Sequence, residues 1–167
     1  MTVAFERKKN NLIREFKSKL KNKVRYEDLL IEKIDWLLSL ELSIVPVSSR
    51  DAIIQNKISF GGKIVWDKDA EPKKPLSLFV NVVDFEDTEF MTILLHEFGH
   101  IADKDNDKIE LETPTSEISA WKHAIEDFNT LEPDKSEKLI FIDVMKRGLK
   151  SYKVDNEDIE KLVFALC

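Results

Sequence analysis

Cysteine is nearly missing from this chain of 167 residues. The single thiol, Cys167, excludes an intramolecular disulfide and leaves no thiolate to complete an internal motif, which fits a reducing compartment. Long hydrophobic runs are missing too. No stretch approaches the roughly 18 uninterrupted apolar residues of a membrane span. The opening segment MTVAFERKKN has no apolar region of the kind a secretion signal carries, so cytoplasmic residence away from membranes is expected. Positive charge is in deficit, with 26 Lys and Arg against 32 Asp and Glu and a formal net charge of -6. That balance opposes a general affinity for nucleic acid, whose phosphates need positive potential. The deficit is uneven, because residues 1 to 25 carry Arg7, Lys8, Lys9, Arg14, Lys17, Lys19, Lys21, Lys23 and Arg25 against Glu6 and Glu15. This run reads as a solvated helix face.

What remains is enough for one core: 43% of the residues are hydrophobic, and a chain of this length calls for a single domain over 1–167. Phe5, Leu12, Ile13, Phe16 and Leu20, then Tyr26, Leu29, Leu30, Ile34, Leu37 and Leu38, recur at helical spacing and predict N-terminal helices within 4–42. Between 43 and 84, prolines and glycines punctuate short β-branched and aromatic runs and predict a small sheet. Its expected strands are Ser43–Val47, Ile58–Phe60, Lys63–Trp66 and Leu76–Val83, with Gly61 and Gly62 turning the middle pair as a hairpin. A helix over 87–102 follows, opened by Asp87, and a polar loop from Asp103 to Glu112 leads to a second helix over 114–130. Thr113 and Pro114 start that second helix as N-cap and first-turn proline. Two C-terminal helices fill 134–166, one opening with Asp134 and Glu137 at capping-box spacing and the other with Asp155.

The chemistry concentrates where histidine, with three copies in the chain, occurs twice in five residues. His96 and His100 are four apart on a helix, so both imidazoles leave one face and can meet a single ion. Glu97 is rotated off that face and can accept a proton from water without ligating the metal, the division of labour in HExxH zinc peptidases. A catalytic zinc site needs a third protein ligand and an open position. Glu117, 17 residues beyond His100 at the start of a helix with Ala120, Trp121 and Ala124 on the same face, is the expected third ligand. His123 or an acid in the preceding loop are the alternatives, and His123 points away from Glu117 on the same helix. Imidazole and carboxylate also suit iron, cobalt or nickel; zinc is expected because the motif needs a redox-silent Lewis acid.

Neighbouring motifs are excluded by their letters. A metzincin would have glycine and histidine where Asp103 and Asn106 stand. A deformylase-like site would need an upstream cysteine. Asp103, Asp105 and Asp107 alternate like a calcium loop, but Lys108 and Pro114 occupy the places of its glycine and glutamate.

Taken together, His96-Glu-Phe-Gly-His100, the preceding Leu78-Phe-Val-Asn81 and the downstream Glu117-Ile-Ser-Ala120-Trp-Lys-His-Ala124 resemble the ImmA/IrrE type of gluzincin-like metallopeptidase. These are small cytoplasmic proteins met in bacteria, phages and mobile elements. The resemblance covers about residues 43 to 128 and departs from the family at Trp121 and Lys122. It implies an α+β zincin-like fold, mostly helical, with a small mixed or antiparallel sheet packed beside the HExxH helix. It also implies hydrolysis of a peptide bond in a protein partner, possibly a regulator.

The expected activity is therefore that of a zinc endopeptidase, with His96, His100 and Glu117 as ligands and Glu97 as general base. The strand Leu76–Val83 is expected to offer its edge to an extended substrate. Tyr152 and His123 are both considered as stabilisers of the developing oxyanion. The alternative is a catalytically inactive, zinc-stabilised protein-binding module. The oligomeric state is left open by the sequence.

Overall fold

A computed structural model describes residues 3–21, 23–58, 61–67, 69–70, 73–103 and 113–167. The described chain is α+β and mostly helical, with one small mixed sheet. It falls into two compact units, one of residues 1–66 with 75–91 and one of residues 67–74 with 92–167. Among the described residues, no helix is long and apolar enough to cross a membrane.

The first unit begins with α1 (Val3–Lys17) and α2 (Val24–Ser39), which bury the apolar stripes their spacing predicts: Leu12 and Phe16 on α1, and Tyr26, Leu29, Leu30, Ile34 and Leu37 on α2. These stripes meet the first residues of α4 (Asp87–Ala102). Phe16 packs edge-on against Phe90 with centroids 5.6 Å apart, and the buried Tyr26 hydroxyl lies 3.0 Å from Thr88 Oγ1. Pairing Tyr26 with Thr88 removes the penalty of leaving either hydroxyl dry and unbonded.

Three strands, β1 (Ser43–Val47), β2 (Gly62–Asp67) and β3 (Lys74–Asn81), form a sheet of order β1-β3-β2. β1 and β3 run parallel, in register from Ser43 opposite Ser77 to Val47 opposite Asn81. Parallel neighbours need a crossover, and here it contains a helix that the sequence reading missed, α3 (Arg50–Gln55), capped by Ser49 Oγ accepting from the Ala52 N–H. The end of β3 is fixed by Asn81. Its Oδ1 accepts from the N–H groups of Val83 and Asp84, its Nδ2 donates to Asp84 Oδ2, and Asp84 pairs with Arg50 at 2.8 Å.

Two expectations about the sheet are corrected. β3 is the central strand, so both of its sides are occupied and the outer edges belong to β1 and β2; a substrate cannot pair with it as proposed for Leu76–Val83. The Gly61-Gly62 pair does not form the expected hairpin turn. Primed turns need positive φ, but no described glycine has it; Gly62 opens β2 and the Gly61 carbonyl accepts from the Asn81 N–H at 2.8 Å. Of the expected strand Ile58–Phe60, residues 59 and 60 lie outside the described residues, and Ile58 closes the turn after α3.

The second unit holds the rest of α4, then α5 (Pro114–Asn129), α6 (Lys135–Ser151) and α7 (Asn156–Leu166). Thr113 caps α5 and Asp134 caps α6, each in a reciprocal capping box. Asp155 holds the N-cap position of α7 without a side-chain bond. The core between these helices is built from Trp121, Ala124 and Phe128 of α5, Phe141, Val144 and Met145 of α6, and Ile159 and Leu162 of α7. Phe128 and Phe141 lie 4.5 Å apart between ring centroids.

Candidate metal centre

α4 is apolar on more than one side: Ile93, Leu94, Leu95 and Phe98 are all buried. Such a helix lies inside the fold, and its polar residues need a reason to be there. His96 and Glu97 are each 7% exposed, and Glu117 on α5 is 2% exposed.

Gly99, between the two histidines, is what lets α5 approach. A Cβ built on Gly99 would stand 2.2 Å from the backbone oxygen of Ala120, so any larger residue forces the helices apart. Ala120 follows Glu117 by about one helical turn, so this single close approach brings the acid of α5 to the histidine face of α4. A glycine inside a helix costs up to about 1 kcal/mol relative to alanine; here it is tied to the geometry of the site.

The convergence is tight. His96 Nε2 lies 3.2 Å from Glu117 Oε2 and His100 Nε2 lies 3.3 Å from Glu117 Oε1. One ligand atom from each of the three residues falls within 4.8 Å of the others. Charge-assisted N–H···O bonds are usually shorter, about 2.7–2.9 Å. Ligand atoms on a tetrahedron with zinc bonds near 2.0–2.1 Å stand about 3.3 Å apart, close to the two imidazole–carboxylate spacings, each of which runs to a different oxygen of Glu117. Glu117 Oε2 is also buried and, despite its nearness to His96, has no hydrogen-bond partner among the described residues. Two imidazole nitrogens and a carboxylate gathered this closely form a group that could hold a shared cation.

The electrostatics agree. Burial drives the His96 imidazole down to about 4, leaving it neutral with a lone pair to give. Burial opposes ionisation of Glu117, but the two imidazoles beside it outweigh that and hold it at about 2. Burial likewise works against the charged form of His100, yet Glu117 overrides it and His100 is raised; a cation would displace that proton on binding. Burial pushes Glu97 up to about 7, with His100 pulling it back. A divalent cation held by the two imidazoles would take over from the His100 proton the task of compensating the desolvated Glu117 carboxylate.

His96, His100 and Glu117 are thus brought together as the sequence predicts, with Glu97 buried next to His96 on α4. The alternative ligand His123 is not part of the group: its side chain is 37% exposed and its Nδ1 lies 3.9 Å from Glu126. Tyr152 forms the C-cap of α6. The calcium-like positions Asp105 and Asp107, and the loop acids 110 and 112, lie outside the described residues. Two contributors escaped the sequence reading. Gly99 could have been noticed as a glycine in the middle of an otherwise strong helix. Trp121, which the sequence placed on the same face as Glu117 without a further role, stacks on His96 with centroids 4.1 Å apart and planes 18° from parallel.

The donor set of two imidazoles and one carboxylate suits a divalent metal, and three ligands leave room for the further position a catalytic site needs. Among known proteins, no family model, curated protein or solved structure matches this chain.

Proposed function

We propose that the chain is a zinc-dependent endopeptidase of the gluzincin-like ImmA/IrrE type, cutting a peptide bond in a protein partner. The observation that carries this reading is the buried convergence of His96, His100 and Glu117 with Glu97 next to the first ligand. Zinc, when bound, supplies a Lewis acid that acidifies water and polarises a carbonyl.

The residues of the chain have separate tasks. His96, His100 and Glu117 hold the ion. Glu97 takes a proton from the attacking water as the new C–O bond forms, then delivers it to the departing amine as the C–N bond breaks. Burial suits Glu97 to this work, since a desolvated carboxylate is a stronger base than one in water.

The test uses Glu97→Gln as a trap. Partners captured from a lysate by that variant are incubated with wild-type protein and zinc. Cleavage by the wild type alone supports the proposal, and full activity in Glu97→Gln would sink the mechanism.

One observation favours the second reading, a zinc-stabilised binding module without hydrolysis. His96 and Glu97 are only 7% exposed, a degree of enclosure that structural metal sites share. That reading predicts a zinc-dependent rise in thermal stability and captured partners that wild-type protein leaves intact.

A further inference from the structure

A histidine that ligates a metal through one ring nitrogen is ordinarily oriented by a hydrogen bond from the other, to a carboxylate, a carbonyl or a water. Among the described residues, no side chain or carbonyl gives His96 this support: its Nε2 faces Glu117, and its buried Nδ1 has no hydrogen-bond partner among them. Its ring is confined by aromatic contacts instead. The indole of Trp121 lies parallel to it at 4.1 Å, and the edge of His100 meets it at 4.6 Å and 69°.

Trp121 is well placed to hold another ring still. It is fully buried, it meets Phe141 edge-on at 5.7 Å and 80°, and its six-membered ring rests against Gly148 of α6, where an added Cβ would stand 3.2 Å from Cζ2. Its own buried Nε1 has no hydrogen-bond partner among the described residues, so shape rather than polar bonding keeps the indole in place. Because Trp121 follows Glu117 by four residues, one face of α5 presents both a ligand and, a turn later, the plate on which the opposing ligand rests.

We propose that Trp121 is a positioning residue for His96, fixing the plane of the imidazole by ring stacking where a hydrogen bond to Nδ1 would otherwise do so. This rests on the metal reading above. The role belongs to the flat face of the ring and not to its N–H, so phenylalanine can take it over and leucine cannot.

The test is titration of wild type, Trp121→Leu and Trp121→Phe with Co2+, reading both affinity and the visible absorption band that reports coordination geometry. Trp121→Leu should bind about 10–100-fold more weakly, the range expected when an orienting partner is lost, with an altered band. Trp121→Phe should restore the wild-type band. A folded Trp121→Leu with wild-type affinity and an unchanged band overturns the inference while leaving the metal reading intact. If Trp121→Leu does not fold, Gly148→Ala, which presses on the indole, serves in its place: an altered band supports the inference and an unchanged one overturns it. A wild type that binds no Co2+ overturns the metal reading itself.

Discussion

Two helices of the second unit begin with a buried glutamate, and the two acids do different things. At the start of α6, Glu137 Oε2 accepts from the Asp134 N–H at 2.9 Å while Asp134 Oδ1 accepts from the Glu137 N–H, so the carboxylate is committed to capping. At the start of α5 the same reciprocal bonds are made by Thr113 and Ser116: the Thr113 N–H donates to Ser116 Oγ at 3.0 Å, and the Ser116 N–H donates to Thr113 Oγ1 at 3.3 Å. Serine does there what glutamate does in α6. Glu117, one residue further along, is left to face His96 and His100. A buried acid at a helix start is therefore no metal ligand by default; it becomes available when a neighbour takes over the cap.

The comparison can be broken most sharply by removing each acid in turn. Glu117→Ala should lose metal binding, by more than the roughly 10–100-fold that accompanies loss of a supporting partner alone. In the same assay Glu137→Ala should bind metal as wild type does and lose about 0.5–2 kcal/mol of stability through its weakened cap. Thermal melting with and without a chelator separates the two: chelator should lower the melting temperature of wild type and Glu137→Ala, and leave that of Glu117→Ala unmoved.

Next in size is Glu97→Gln, which keeps all three ligands. Hydrolysis should fall by about 10²–10⁴-fold, the usual contribution of a general base, while metal content stays at the wild-type level. Equal loss of metal and activity would show that Glu97 holds the ion.

Gly99→Ala tests the approach of the two helices. The added methyl meets the Ala120 carbonyl oxygen, so the variant should be destabilised by about 1–3 kcal/mol, as overpacked sites are, and should bind metal more weakly. Wild-type stability in urea would mean that α4 and α5 can part without consequence.

The smallest effects are reserved for the cap and the surface. Ser116→Ala should cost about 0.5–2 kcal/mol and still bind metal, because Glu117 remains in place. His123→Ala should change stability by less than about 0.5 kcal/mol, as exposed substitutions do.

The convergence of His96, His100 and Glu117 was legible in the sequence because helical periodicity turns spacing into direction. His96 and His100 must share a face, and Glu117 shares one with Ala120 and Ala124, so three positions sufficed to predict the group. The amphipathic stripes of α1 and α2 were legible for the same reason. Strand order was not: the runs at 43–47 and 74–81 look alike as sequence, and nothing local says that β3 pairs on both sides. α3 was missed because six residues hold too little periodicity to stand out from a turn. The stacking of Trp121 was hidden because a large aromatic on a buried face is usually core, and only the ring planes distinguish a packing residue from one that supports His96.

The most direct measurement is metal content, by elemental analysis of the purified protein beside Glu117→Ala and His123→Ala. The account predicts stoichiometric zinc in the wild type and in His123→Ala, and none in Glu117→Ala. A wild type free of metal, or zinc that survives the loss of Glu117 and leaves with His123, would contradict it.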